Sequence, residues 1–176
     1  MARFKGAIEL VLKHEGGLTR DHAGMTNYGI TVPVLKGETW GDLDNDGDVD
    51  GEDIKLLTKC QAYNIYYRQW WKRYSYRKIN SQRFANKILD FSVNMGPNRA
   101  HKLVQESINF IKEANIAVDG IIGPITLNHL NRLVFIENKF ILVLKCKTDS
   151  FYKYLIIKQP KLKKYLKGWI RRVKDG

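Results

Sequence analysis

The sequence is short of several features that would place it in well-known classes of protein. It has only two cysteines, Cys60 and Cys146, far apart in the chain, so no disulfide framework is predicted and free buried thiols are expected. No apolar run approaches the roughly 18 to 20 residues of a membrane-spanning helix. The first 15 residues carry Glu9 and Lys13 and lack a small-residue cleavage site, so we interpret them as the first helix of the mature protein rather than a signal peptide.

Strand-like alternation of any length is also absent, and apolar residues recur at helical spacing instead. The chain has 176 residues, of which 44% are hydrophobic and 11% aromatic, enough for the core of one compact domain or of two packed lobes. The predicted fold class is therefore all-α.

Acidic residues are scarce outside one stretch. The chain has 30 Lys and Arg against 18 Asp and Glu, a net charge of +12, and seven of the acids lie in residues 42–53. A basic surface favours a polyanionic partner, such as nucleic acid, anionic lipid or a bacterial wall. No motif that reads bases is present, so nucleic acid is not expected as the partner.

The stretch HEGGLTRDHAGMTNYGIT, residues 14–31, has the composition of a hydrolytic site. Glu15 ends an apolar-patterned helix at Gly16-Gly17, where a side chain lies between the core and water. Apolar neighbours would raise the pKa of this carboxyl, as a general acid requires. Asp21 follows in the polar loop, where it could also cap a turn.

The string E-G-G…D-x-x-G-x-T-N-Y-G-I-T resembles glycoside hydrolase family 108, N-acetylmuramidases that cut the glycan strand of peptidoglycan. Glu15, Asp21 and Thr26 also resemble the Glu–Asp–Thr set of phage-type lysozymes. The resemblance implies a lysozyme-like fold in which these three residues are catalytic, with Glu15 as the acid. It further implies that Tyr28 positions the sugar; Thr26 and Tyr28 could equally be hydrogen-bonding groups of the loop.

The acidic stretch DLDNDGDVDGED, residues 42–53, has the pattern of a twelve-residue calcium loop, with Gly47 at its turn position. Its last position is Asp instead of Glu, which resembles the calcium loops of dockerin modules. We predict a structural Ca²⁺ in an EF-hand-type loop inserted into the family's scaffold; a solvated acidic loop is the alternative. The expected ligands are Asp42, Asp44, Asp46, Asp48 and Asp53.

Further helices are predicted over residues 60–74, 81–96, 98–115, 125–145 and 148–157. The string D-F-S-V-N-M-G resembles the family's D-x-x-x-N-x-G, whose helix lines the active-site cleft. This implies that Asp90 and Asn94 bind substrate; a buried structural Asn or Asp cap is the alternative.

The C-terminal strings D-G-x-x-G-P-x-T, from Asp119, and K-G-W-x-x-R-V, residues 167–173, resemble the family's C-terminal half. The tail is predicted as a helix packed on the core with a solvated basic rim, or as a contact with an anionic membrane. The basic residues assigned to that rim are Lys161, Lys163, Lys164, Lys167, Arg171, Arg172 and Lys174.

The sequence as a whole predicts a monomeric endolysin-type muramidase acting on bacterial peptidoglycan. Residues 1–92 would form the hydrolase region and residues 93–176 a helical peptidoglycan-binding half in the same globule. The protein would be made in a host cytoplasm and act at the cell wall. The alternative is a non-catalytic, calcium-dependent protein that binds the wall or assists secretion.

Overall fold

The computed structural model describes residues 1–21 and 24–175, and for Asp21 it describes the backbone alone. The fold is mostly α-helical and lysozyme-like, which confirms the predicted class. The helices are α1 (Phe4–Glu15), α2 (Val32–Lys36), α3 (Gly51–Leu56), α4 (Lys59–Tyr66), α5 (Gln82–Met95), α6 (Pro97–Lys112), α7 (Pro124–Asn131), α8 (Glu137–Lys158) and α9 (Leu166–Lys174). The strands are β1 (Thr19–Asp21), β2 (Gly24–Asn27) and β3 (Ile30–Thr31).

The three strands form a small antiparallel sheet in the order β1-β2-β3, which the sequence did not predict. Thr19 pairs with Thr26, and Thr26 with Thr31. The strands are two to four residues long, too short to show a recognisable alternation of apolar and polar residues.

Helix α5 forms the centre of the fold. The Ser81 hydroxyl accepts the N–H of Phe84 at 3.1 Å and starts the helix, and Gly96, with a φ of 85°, ends it before Pro97. Helix α1 packs on one side of α5 and α6 on another. The predicted division between residues 92 and 93 falls inside α5, so both predicted regions pack on the same helix.

The C-terminal helices divide differently from the prediction. The apolar pattern over residues 125–145 is broken after α7 by a short 3-10 turn at Val134–Ile136. Helix α8 then continues through the predicted gap at residues 146 and 147, because Leu144, Thr148 and Tyr152 lie one turn apart on its fully buried face. The predicted helix over residues 60–74 is α4 followed by a π-helical segment, Tyr67–Lys72.

Two other predictions concern the protein surface. Cys60 and Cys146 are free, as expected, but both are exposed rather than buried. Within the described residues, no helix combines the length and the apolar character needed to cross a bilayer.

Candidate active site

Glu15 is the last residue of α1. Gly16 follows with a φ of 72°, and its N–H bonds to the Leu12 carbonyl oxygen at 3.1 Å. A residue in this left-handed conformation ends a helix, and glycine adopts it without strain. The Glu15 side chain is 19% exposed, so its carboxylate lies at the edge of the protein interior.

A buried guanidinium binds the Glu15 carboxylate. Arg172 Nη2 donates to Glu15 Oε1 at 2.7 Å, and Arg172 Nη1 donates to Asp90 Oδ1 at 2.6 Å. Asp90 is fully buried and Arg172 is 6% exposed. The expectation of purely apolar surroundings for Glu15 is therefore wrong, because one of its oxygens is bound to a cation.

The burial of Arg172 also corrects its assignment to a solvated rim. Trp169, Arg172 and Val173 are three and four residues apart, so they share one face of α9. Trp169 on this face stacks on Tyr152 of α8, and Arg172 reaches Asp90 of α5. Burial opposes the charge on the guanidinium, but the carboxylates of Asp90 and Glu15 outweigh it and raise the pKa of Arg172. The arginine of the string K-G-W-x-x-R-V is this residue, and that position is the sequence signal that identifies it.

His14 joins the same network from the residue before Glu15. Its Nδ1 lies 2.8 Å from Asp90 Oδ1 and its Nε2 lies 3.0 Å from Asp175 Oδ2. Carboxylate oxygens only accept, so both hydrogen bonds form only when the imidazole carries two protons. Hydrogen bonds from His14, and then from Lys13, lower the pKa of Asp175 to about 2.

The turn between β2 and β3 packs against the other Glu15 oxygen. Tyr28 and Gly29 both have a positive φ, 52° and 76°, as a two-residue hairpin turn requires. A Cβ on Gly29 would lie 2.7 Å from Glu15 Oε2 and 2.6 Å from the Tyr66 hydroxyl. That hydroxyl donates to the Tyr28 carbonyl oxygen at 2.9 Å; burial, and secondly the charge of Glu15, raise the pKa of Tyr66 and keep it neutral.

Two surface depressions lie beside the residues that flank Glu15. One, of about 400 Å³, is lined by Gly16, Gly17 and Tyr28. The other, of about 270 Å³, is lined by His14, Asn94, Trp169 and Arg172. Glu15 itself lines neither depression, but each of its two chain neighbours, His14 and Gly16, lines one of them.

The remaining predicted site residues are placed as follows. Thr26 lies in β2, and its hydroxyl is 2.9 Å from that of Thr19. Asp90 is too deeply buried to touch a sugar and instead binds Arg172 and His14. Asn94 lines the smaller depression and accepts the Tyr152 hydroxyl at 2.6 Å. The side chain of Asp21 lies outside the described residues.

The acidic loop brings its carboxylates together in two groups. One oxygen each from Asp42, Asp44 and Asp46 lies within 4.8 Å of the others, and Asp48, Asp50 and Asp53 form a second such group. Gly47 has a φ of 99°, and its N–H donates to Asp42 Oδ2 at 3.1 Å. Clustered carboxylate oxygens are a donor set that suits a hard divalent cation.

Asp53 closes this loop onto α3. It is 1% exposed, and it accepts the N–H of Asp50 at 2.7 Å and that of Leu43 at 2.5 Å. These backbone bonds lower its pKa. The first and last turns of the loop are therefore tied to the start of the helix.

Comparisons with known proteins agree with this arrangement. The family model described as Glycosyl hydrolase 108 matches residues 8–96, just over half of the chain. A second model, described as Predicted Peptidoglycan domain, matches residues 99–174. No curated protein matches the chain.

Among solved structures, the chain is similar to SagA of Brucella abortus. The two are 26% identical, the TM-score is 0.74, and the match covers 97% of this chain and 88% of that one. The likeness thus extends over both halves of the chain. With over half of its length matched, and with a peptidoglycan domain beside that match, the chain belongs to the glycosyl hydrolase 108 family and is a glycoside hydrolase that acts on peptidoglycan.

Proposed function

We propose that the protein is a muramidase that hydrolyses the β-1,4 bond between N-acetylmuramic acid and N-acetylglucosamine. The observation that carries this proposal is the setting of Glu15. One of its oxygens is bound to a buried arginine and the other packs against a hairpin turn. A carboxyl that is bonded at one oxygen and packed at the other, at a partly exposed helix end whose neighbours line surface depressions, is suited to deliver a proton at a defined position.

In the proposed reaction, protonated Glu15 donates its proton to the glycosidic oxygen as the bond from that oxygen to the anomeric carbon breaks. Water then adds to this carbon, which carries positive charge in the transition state, and loses a proton. We assign Asp21 and Thr26 to positioning this water or stabilising the charge. Tyr28 and Asn94, each beside one recess, would hold the sugars on either side.

Purified bacterial peptidoglycan provides the test. The wild-type protein should release reducing ends, and mass spectrometry should find hydrated N-acetylmuramic acid at those ends. Glu15→Gln, which keeps the shape but cannot donate the proton, should lower the rate by at least about 100-fold. Glu113→Gln, an exposed glutamate at the end of α6, is the matched control and should be fully active.

Other outcomes of this experiment would reject the proposal. Anhydro sugar ends or N-acetylglucosamine reducing ends would identify a different cleavage. If the wild type and Glu15→Gln bind peptidoglycan equally and neither releases reducing ends, the alternative of a non-catalytic wall-binding protein is supported.

We further propose that the protein is a monomeric endolysin, made in a host cytoplasm and acting at the cell wall during lysis. The basic charge of the chain supports action on an anionic wall. Synthesis in a bacterial host together with a membrane-permeabilising protein should clear the culture. Synthesis with the same partner but with Glu15→Gln should leave it turbid.

We also propose that residues 42–53 bind a structural Ca²⁺. Asp42, Asp44 and Asp46 would supply oxygens from one side, and Asp48 and Asp53 would complete the set. The ion would neutralise carboxylates that now repel one another; the negative charge of Asp46 is the largest of several causes that raise the pKa of Asp48. The loop would thereby be fixed at the start of α3.

A last proposal concerns the basic rim, which we define as the exposed residues Lys161, Lys163, Lys167, Arg171 and Lys174. Because the apolar face of α9 is already packed, the rim would attract an anionic membrane without the helix detaching. Each lysine contributes about 1 kcal/mol at such a surface. Vesicles with phosphatidylglycerol should bind the protein, and replacing the four lysines of the rim by glutamine should abolish binding; equal binding to neutral vesicles would contradict this.

A further inference from the structure

We infer that Arg172 is a positioning residue for Glu15, so that α9 completes the hydrolytic centre from the peptidoglycan-domain half of the chain. The inference rests on the proposed role of Glu15 as the acid. It goes beyond that role because the two residues are 157 positions apart and lie in the segments matched by two different family models.

The guanidinium is held from more than one side, which is what a positioning residue needs. Its Nη1 is bound to the fully buried Asp90, and Asp90 Oδ1 also lies 2.8 Å from His14 Nδ1. The backbone carbonyl oxygen of Arg172 accepts Lys87 Nζ at 2.6 Å. Both ends of the residue are therefore fixed to α5, the helix on which α1 packs.

A second contact fixes α9 against the end of α1. Asp175, directly after α9, lies 3.0 Å from His14 Nε2 and 3.0 Å from Lys13 Nζ. The two residues before Glu15 thus hold the same helix end that supplies Arg172. The relative position of Glu15 and Arg172 is therefore supported by the polar contacts of three residues, Asp90, Lys87 and Asp175.

This geometry determines which Glu15 oxygen carries the proton. A guanidinium has donors and no acceptor, so the oxygen bound to Arg172 accepts in both protonation states of Glu15. The carbonyl oxygen of a carboxylic acid is a better acceptor than its hydroxyl oxygen, so the acid form favours the proton on Oε2, the oxygen beside Gly29. As that proton leaves, the hydrogen bond from Arg172 becomes charge-assisted at both ends and stabilises the carboxylate that forms.

The test compares kcat, KM and the pH profile on soluble glycan strands prepared from peptidoglycan. Arg172→Met should lower kcat by about 10- to 100-fold and leave KM within about threefold, because the acid loses its alignment and its stabilised product state. Arg172→Lys should recover part of kcat, since it restores one donor. Because a neighbouring cation favours the ionised form of any carboxyl, its removal should also move the alkaline limb of the profile upward.

The matched control is Arg83→Met. Arg83 also has two partners, Glu137 and Asn138 at 3.1 and 2.7 Å, but it joins α5 to α8 and has no contact with Glu15. Its loss should leave kcat and the alkaline limb unchanged. Thermal unfolding of every variant shows which of them are folded at the assay temperature.

If Arg172→Met does not fold, Asp90→Asn provides the second variant. It weakens the hold on Arg172 without removing the guanidinium, and it should lower kcat by an intermediate amount. The inference would be overturned if folded Arg172→Met or Asp90→Asn kept the kcat and pH profile of the wild type. It would also be overturned if Arg83→Met lost as much kcat as Arg172→Met. Glu15→Gln tests the proposed function separately. If Glu15→Gln is inactive but Arg172→Met is as active as the wild type, the role of Arg172 is rejected and the proposed function is not.

Discussion

Lys87 is a charged residue that the fold buries beneath the C-terminal helix. It is 1% exposed, its Nζ lies 5.0 Å from the centre of the Phe91 ring, and it donates to the carbonyl oxygen of Arg172. Burial lowers its pKa to about 8, although the charge of Asp90 acts in the opposite direction. The lysine therefore stabilises the position of α9 at the cost of desolvating its own charge.

This cost predicts a pH dependence of stability. Between pH 8 and the ordinary lysine pKa of about 10.4, the unfolded chain binds more protons than the folded one, so the free energy of unfolding rises with pH. Relative to Lys87→Met, the wild type should gain about 2 to 3 kcal/mol between pH 7.5 and 10.5. Urea unfolding of both proteins across this range measures the gain. Lys139 is exposed, so the unfolding free energy of Lys139→Met should change with pH as that of the wild type does. The same pH dependence in Lys87→Met would contradict the prediction.

Gly29 gives a prediction about alignment rather than charge. Gly29→Ala would place a methyl group against Glu15 Oε2 and the Tyr66 hydroxyl, at a φ of 76° that alanine rarely adopts. We expect an unfolding free energy lower by about 1 to 3 kcal/mol and a rate of peptidoglycan cleavage lower by about 100-fold. Gly123→Ala is the control, because its φ is −87° and its Cβ would meet an ordinary contact at 3.9 Å. Unchanged cleavage by folded Gly29→Ala would show that this turn does not position the acid.

Single residues differ in how far the sequence reveals their position. Glu15 is found because Gly16 ends the helix directly after it, which is a local effect. Arg172 is missed because six other basic residues surround it in the tail, and only the face it shares with Trp169 and Val173 marks it as buried. The ionic surroundings of Glu15 depend on a residue far along the chain, so no local pattern predicts them.

Among the elements, α1 and α5 are predicted almost to the residue because their caps and apolar faces are local. The break between α7 and α8 is missed because tertiary packing decides it, where Leu130 and Leu133 are both fully buried. The sheet is missed because its strands are shorter than any periodic signal.

The acidic loop is connected to the candidate site through α3 and the sheet. The Asn27 side chain donates to the carbonyl oxygens of Ile54 and Leu57, at 3.1 and 3.2 Å. Asn27 ends β2 and directly precedes the Tyr28-Gly29 turn that packs on Glu15. A shift of α3 would therefore be passed through Asn27 and the Tyr28-Gly29 turn to Glu15, the proposed acid.

Removal of calcium should lower both stability and activity. A ligand at 100 times its dissociation constant stabilises by about 2.7 kcal/mol, which corresponds to about 5 to 10 °C in Tm for a chain of this size. We expect EDTA to lower Tm by this amount and Ca²⁺ to restore it at lower concentration than Mg²⁺.

Asp42→Asn should weaken the calcium response, whereas Asp149→Asn, in the middle of α8, should not. Equal melting temperatures of the wild type in EDTA and in Ca²⁺ would remove the case for a structural ion.

At the scale of the whole molecule, the two matched segments meet at residues 97–98, yet nothing in the packing separates them there. Helix α5 contacts α1 from one segment and α6 from the other. Arg172, Lys87 and Asp175 add polar contacts between the N-terminal and C-terminal halves of the chain. The fold is therefore better regarded as one cooperative unit than as a hydrolase with a detachable binding module.

One unit predicts a single unfolding transition. The enthalpy of unfolding near 60 °C is about 0.7 kcal/mol per residue, so calorimetry should give about 120 kcal/mol for this chain. For a single two-state transition, this calorimetric enthalpy equals the van't Hoff enthalpy. Leu144→Ala, which opens a cavity under α8, should lower the unfolding free energy by about 3 kcal/mol and shift the whole transition. With Trp169 replaced by Phe, the fluorescence of Trp40, Trp70 and Trp71, which all lie in the other segment, should report the same lowered midpoint. Two transitions, or a fluorescence midpoint that Leu144→Ala does not lower, would show that the segments unfold separately, and the contact between Arg172 and Glu15 would then be a docking contact between two folding units.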